Sequence, residues 1–209
     1  MSRQTTRAML FMGCLLATAS GCATMYYDAM ETVGIHKRDI LSDRIESARD
    51  SQHAAKEQFN SAQERFQAEL NFEGGDLQQT YKRLNHEFER SQDRAAVVSD
   101  RIDLVEEVAD ALFDEWQQEI DLYASAKLKR LSSQQLKRTQ RRYTDLLRAM
   151  RVAEYRMQPV LNTFQDQVLF LKHNLNAQTI ASLRNEFASI ENDIASLIRD
   201  MEASIAKAD

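Results

Sequence analysis

Apolar side chains recur along this chain in alternating steps of three and four residues, the spacing that lines up one face of an α-helix. A first series runs Leu41, Ile45, Ala48, Gln52, Ala55, Phe59, Ala62 and Phe66, and ends near Leu70. Gly74 and Gly75 break it, and Asp76 with Gln79 three residues on forms a helix-start signature. A second series passes through Leu77, Leu84, Ile102, Val105, Trp116 and Ile120 to Tyr123. Ser132, Ser133 and Gln135 mark the next start, ahead of a third series from Leu136 through Tyr143, Leu147, Met157 and Phe164 to Leu175. A fourth runs from Ile180 through Leu183, Phe187, Ile194 and Leu197 to Ile205.

The pattern predicts helices over about 38–72, 76–130, 133–173 and 177–207, with a kink rather than an end at Pro159. One apolar stripe per helix and short turns make the expected fold an all-α antiparallel bundle of four long, coiled-coil-like helices. A centre at Leu131-Ser132 for the second turn sets Trp116 against Leu147, Ile102 against Leu161 and Ala95 against Val168. At 1.5 Å per residue the second helix would be roughly 80 Å long and the first roughly 50 Å. Helices two and three then protrude as a two-helix finger, at the end where helix one begins.

Composition agrees: one proline and five glycines in 209 residues leave few strand and turn breakers. The first thirty residues read differently. Arg3 and Arg7 precede an apolar run from Ala8 to Ala19 that is too short to span a bilayer, and Ala19-Ser20-Gly21-Cys22 follows. These are the parts of a bacterial lipoprotein signal, so residues 1–21 are expected to be removed and Cys22 to carry acyl chains. Residues 22–37 would form a lipidated tether, and 38–209 a single helical domain. Ala23 in place of aspartate favours delivery to the outer membrane, facing the periplasm. Removing Arg3 and Arg7 takes the formal charge from −5 to −7. With Cys22 acylated, no cysteine is left for a disulfide or a metal site.

Charge is segregated along the mature chain. Residues 76–121 hold 13 acids and 5 bases, whereas residues 127–156 hold 10 bases and 2 acids. In the register above, Asp121 faces Arg142, Glu115 faces Arg148 and Glu107 faces Arg156, as flanking ion pairs. Such exposed pairs are worth about 0–1 kcal/mol each and would set register more than stability. What they leave over is Lys127, Lys129, Arg130, Lys137 and Arg138 around the turn, with no acid from 127 to 138. This cluster is a candidate contact for an anionic membrane surface. Insertion is not expected, because residues 124–142 offer only Leu128, Leu131 and Leu136 among small and polar residues. Nucleic acid is not expected as a partner, given export and the acidic whole.

Catalytic signatures are missing. His36, His53, His86 and His173 are scattered, and Asp50-x-x-His53 is a single loose match where a di-iron bundle needs two Glu-x-x-His pairs and further glutamates. There is no glycine-rich phosphate loop, Gly-x-Ser-x-Gly or His-Glu-x-x-His. No catalytic residue, metal or cofactor is expected; Gln52, Gln140 and Glu154 interrupt the stripes as register-setting polar residues.

The string Tyr26-Tyr27-Asp28-Ala29-Met30-Glu31-Thr32-Val33-Gly34-Ile35-His36-Lys37-Arg38-Asp39, continued by Asp43-Arg44-Ile45-Glu46, is distinctive. It resembles a domain-of-unknown-function family of proteobacterial helical proteins, mostly lipoproteins by their signals. The resemblance implies a helical envelope protein and lends no catalytic residues. Read on its own, Gly34 allows a bend before the first helix, and Lys37 and Arg38 would sit near anionic headgroups. Gly34, His36, Lys37 and Arg38 are alternatively a docking motif for an envelope protein. The whole chain reads as a lipid-anchored structural or adaptor protein of the cell envelope. The rival reading is an accessory component of a transport or membrane-active assembly. A second copy is a further candidate partner, since the long finger has apolar surface to cover.

Overall fold

A computed structural model describes residues 36–71, 76–174 and 177–209, with the side chains of 177–179, 185, 186 and 188–190 excepted. Among these residues lie four helices and no strand: α1 (Lys37–Asn71), α2 (Leu77–Leu122), α3 (Ala126–His173) and α4 (Ala177–Ala208). Each packs against two neighbours, α1 on α2, α2 on α3, α3 on α4 and α4 back on α1, which closes an antiparallel ring. The fold is an all-α helical bundle, as the periodicity predicts.

The core follows the four stripes. Ala48, Ala55, Phe59, Ala62 and Phe66 of α1, and Val98, Ile102, Val105 and Ala109 of α2, are fully buried, as are Met150, Phe164 and Leu171 of α3 and Ile194, Leu197 and Met201 of α4. At the far end Phe164 stacks on Phe66 at 4.6 Å between ring centroids, and Phe66 on Phe187 at 6.0 Å, joining three helices through one aromatic column. Two pairs of buried polar side chains bond across helices. Gln58 Nε2 donates to Glu87 Oε2 at 2.9 Å, and Ser204 Oγ donates to Gln52 Oε1 at 2.8 Å. Gln52 thus ties α1 to α4 in the register-setting manner expected of a polar residue in an apolar seam.

Asp76 caps α2 as predicted, its carboxylate accepting from the Gln78 N–H at 2.9 Å. Helix α3 runs through Pro159 without ending. The turn between α2 and α3 departs from expectation. Helix α2 stops at Leu122, not near 130, and Ser125 caps α3, its hydroxyl accepting from the Leu128 N–H at 3.4 Å. Ser132 and Ser133 are the residues that misled. Ser133 Oγ donates to the Lys129 carbonyl at 2.9 Å, one turn back, and Ser132 Oγ accepts from Trp116 Nε1 at 2.9 Å. A serine whose hydroxyl is occupied in these ways is content inside a helix.

The earlier turn shifts the register of the hairpin. Trp116 meets Ser132, not Leu147, and Phe113 meets Tyr143 edge-on at 5.3 Å. The three expected ion pairs are replaced accordingly. Asp121 pairs with Lys129 at 2.9 Å, Glu115 with Lys37 at 3.2 Å, and Arg156 with Asp200 of α4 at 3.0 Å. Arg148 pairs within its own helix with Asp145.

Candidate functional site

The described helices reach different levels at the end of the bundle where the chain enters α1, and side chains are left over there. Helix α4 finishes where Asp209 pairs with Arg49 of α1 at 3.1 Å and Lys207 reaches the Asp145 carbonyl of α3. From there three of the described helices continue. Helix α1 begins where Lys37 meets Glu115 of α2, so among the described residues the end of α2 and the opening turns of α3 project past it as a two-helix finger. The expected finger is therefore present but shorter, with α2 about 70 Å long. It lies at the end where the chain enters α1.

Where α4 has ended, a groove of about 480 Å³ opens beside α1, floored by Leu41, Ile45, Leu112 and Trp116 and edged by Arg38, Glu119 and Thr139. Lys37, at the same level, is 5 % exposed and holds Glu115. It acts as a strut between α1 and α2, and is not offered to a headgroup as its position in the chain suggested. Arg38 is exposed beside Asp39, and His36 lies exposed at the helix entry. Cys22 and Gly34, with the rest of residues 1–35, lie outside the described residues.

At the fingertip Lys127, Arg130, Lys137 and Arg138 are all exposed, and among the described residues none enters an ion pair. Lys129 is half-buried against Asp121. The shifted turn also changes the apolar inventory. Leu136 is buried inside the hairpin, whereas Leu122, Tyr123, Leu128 and Leu131 are exposed around the turn. Sequence reasoning placed Leu122 and Tyr123 inside a continuing helix and missed them; Ser125 as an N-cap was the signal that would have found them.

The body contrasts with this. Arg151 of α3 donates to Asp103 at 2.6 Å and to Glu106 from one face, and to Glu154 at 2.9 Å from the other. Ser99 adds a 2.6 Å bond to Glu154, so two helices are clasped around one guanidinium. Hydrogen bonds to these carboxylates raise the Arg151 pKa against the opposing pull of its burial, which is the larger single influence. Burial, then Glu106 and Asp114, push the Asp110 carboxyl above its ordinary range. Burial first, with Asp110 and Glu106 adding to it, drives the Tyr143 phenol up to about 12; its hydroxyl has no hydrogen-bond partner. At the opposite end the Arg83 guanidinium bonded to Glu69 holds that carboxyl below its usual range.

Among the described residues no helix is long and apolar enough to cross a membrane, and no three His, Cys, Asp or Glu side chains converge as a metal site. No curated protein and no solved structure matches the chain. A family model matches residues 26–209, which takes in the Tyr26–Asp39 string and all four helices. The chain belongs to the family described as Protein of unknown function (DUF2959).

Proposed function

We propose that this protein is a lipid-anchored structural or adaptor component of a bacterial cell envelope, non-catalytic, whose cationic hairpin tip faces an anionic membrane surface. The anchor is acylated Cys22, reached after residues 1–21 are removed, and Ala23 favours the outer membrane with the bundle in the periplasm. One observation carries the reading. The chain enters α1 at Lys37, level with Glu115, at the same end from which the fingertip and its unpaired Lys127, Arg130, Lys137 and Arg138 project. An anchor placed just before that entry brings the tip to the membrane to which it is attached. Each cation near an anionic leaflet contributes about 1 kcal/mol within a Debye length of the surface. The non-catalytic part is supported by the use made of the buried polar groups: Gln58, Glu87, Ser91, Gln52 and Ser204 bond one another and hold the helices in register.

Metabolic labelling with a clickable fatty acid, followed by membrane fractionation, tests the anchor. The wild-type chain should take the label and sediment with membranes, and Cys22→Ser should lose both properties. An unlabelled wild-type chain would refute the reading.

The groove floored by Leu41, Ile45, Leu112 and Trp116 favours a second reading, in which the three-helix level receives a helix from an envelope partner in a transport or membrane-active assembly. Crosslinking from Ser42→Cys or Thr139→Cys in intact cells separates the two, since a spacer gives no discrete adduct there.

A further inference from the structure

The turn between α2 and α3 carries apolar side chains that the hairpin leaves uncovered. Ile120 is 1 % exposed and Leu136 3 %, so the seam of the hairpin is covered up to those two residues. Between them the apolar side chains point outwards: Leu122 is 83 % exposed, Leu128 51 %, Leu131 49 % and Tyr123 43 %. A single exposed leucine needs no explanation, but four large apolar side chains gathered on one turn form a patch in want of cover. Their setting is cationic. Residues 122–142 hold seven Lys and Arg and no Asp or Glu. On the first turns of α3 Leu128 and Leu131 share one face by their i, i+3 spacing, and Lys127 and Arg130 share the adjoining face.

We infer that this tip is a membrane wedge: Leu122, Tyr123, Leu128 and Leu131 enter the interfacial layer of an anionic bilayer while Lys127, Lys129 and Arg130 hold its headgroups. The inference rests on the envelope reading above and adds insertion to what there was charge attraction alone. Charge complementarity selects lipid as the occupant. A protein partner of this apolar area would not need a surface without a single acid over 122–142, whereas basic residues flanking leucines and an interfacial tyrosine are what a headgroup layer favours. The Ser125 cap ends α2 and starts α3 across three residues, which presents the leucines at the apex and not along a flank. With the finger upright, Lys137 and Arg138 stand roughly 15 Å higher, beyond a Debye length of about 8–10 Å. They therefore act less on the headgroups than Lys127 and Arg130.

The test uses the mature full chain carrying Cys22→Ser, which is unacylated and has no other cysteine once residues 1–21 are absent. An environment-sensitive fluorophore on Ala124→Cys reports on the apex without removing a leucine, and Arg90→Cys on the body serves as control. On vesicles of phosphatidylglycerol with phosphatidylethanolamine, the label at 124 should shift to the blue and become protected from an aqueous quencher. The label at 90 should do neither, and phosphatidylcholine vesicles should produce no shift. Leu122→Ser with Leu128→Ser should lower vesicle partition by roughly 30-fold or more with helicity unchanged by circular dichroism. Binding that survives both serines, with the label still open to the quencher, overturns the wedge and leaves the electrostatic reading standing. Failure to bind anionic vesicles at all overturns both.

Discussion

In the body of the bundle Arg151 is clasped by Asp103, Glu106 and Glu154, and Leu197 on the neighbouring helix is fully buried. At the tip no carboxylate among the described residues pairs with Lys127 or Arg130, and Leu122 is almost wholly in water. The same residue types are satisfied by the chain itself in one region and left unsatisfied in the other. A heptad stripe buries its leucines only as far as neighbouring helices extend; here α4 runs to the level of Arg49, and α1 is described from the level of Glu115. Stability should therefore reside in the four-helix section. The tip should be nearly neutral to folding and decisive for whatever surface the protein meets.

The largest difference is expected from Phe164→Ala, which removes the centre of the stack with Phe66 and Phe59. A loss of about 3–5 kcal/mol is expected, against less than about 0.5 kcal/mol for Leu122→Ala at the tip. Urea unfolding of both variants checks this, and equal losses would erase the distinction between the two regions. Arg151→Ala should cost about 1–3 kcal/mol, because it strips three carboxylates of one partner in a half-exposed site. Arg130→Ala should leave the denaturation midpoint unchanged.

Alkaline unfolding sharpens the contrast further. The Tyr143 phenol is raised from its ordinary 10.0 to about 12 by burial, so the folded protein keeps a proton that the unfolded chain releases. That contribution to stability is whole below pH 10 and is lost as pH rises through about 12. Tyr143→Phe should flatten this limb of the pH profile, with no loss at neutral pH, since the buried hydroxyl has no partner to give up. Ser125→Ala should cost about 0.5–1 kcal/mol through the lost cap, read as a small fall in Tm.

The all-α bundle, its helix order and its core were legible because long amphipathic stripes repeat the same instruction many times over. Ile102, Phe164 and Leu197 all fall on predicted faces and all are buried. The turn was not legible, because two serine signals competed and only tertiary contact decides between them. Ser132 is used by Trp116 across the hairpin, which periodicity within one helix cannot show. Everything dependent on that choice moved with it, including the three ion pairs and the exposure of Leu122 and Tyr123. The cationic cluster survived the shift because it is a property of composition, and an acid-free stretch stays so wherever the turn falls.

The central claim is that the finger points at the membrane that holds the anchor. Energy transfer from single labels to an acceptor at the bilayer surface measures it directly, with the acylated protein reconstituted in phosphatidylglycerol-containing membranes. A label at Ala124→Cys should lie at the headgroup layer and one at Lys172→Cys, near the far end of α3, about 70 Å from it. Equal distances from the two positions, or the reverse order, would contradict the account.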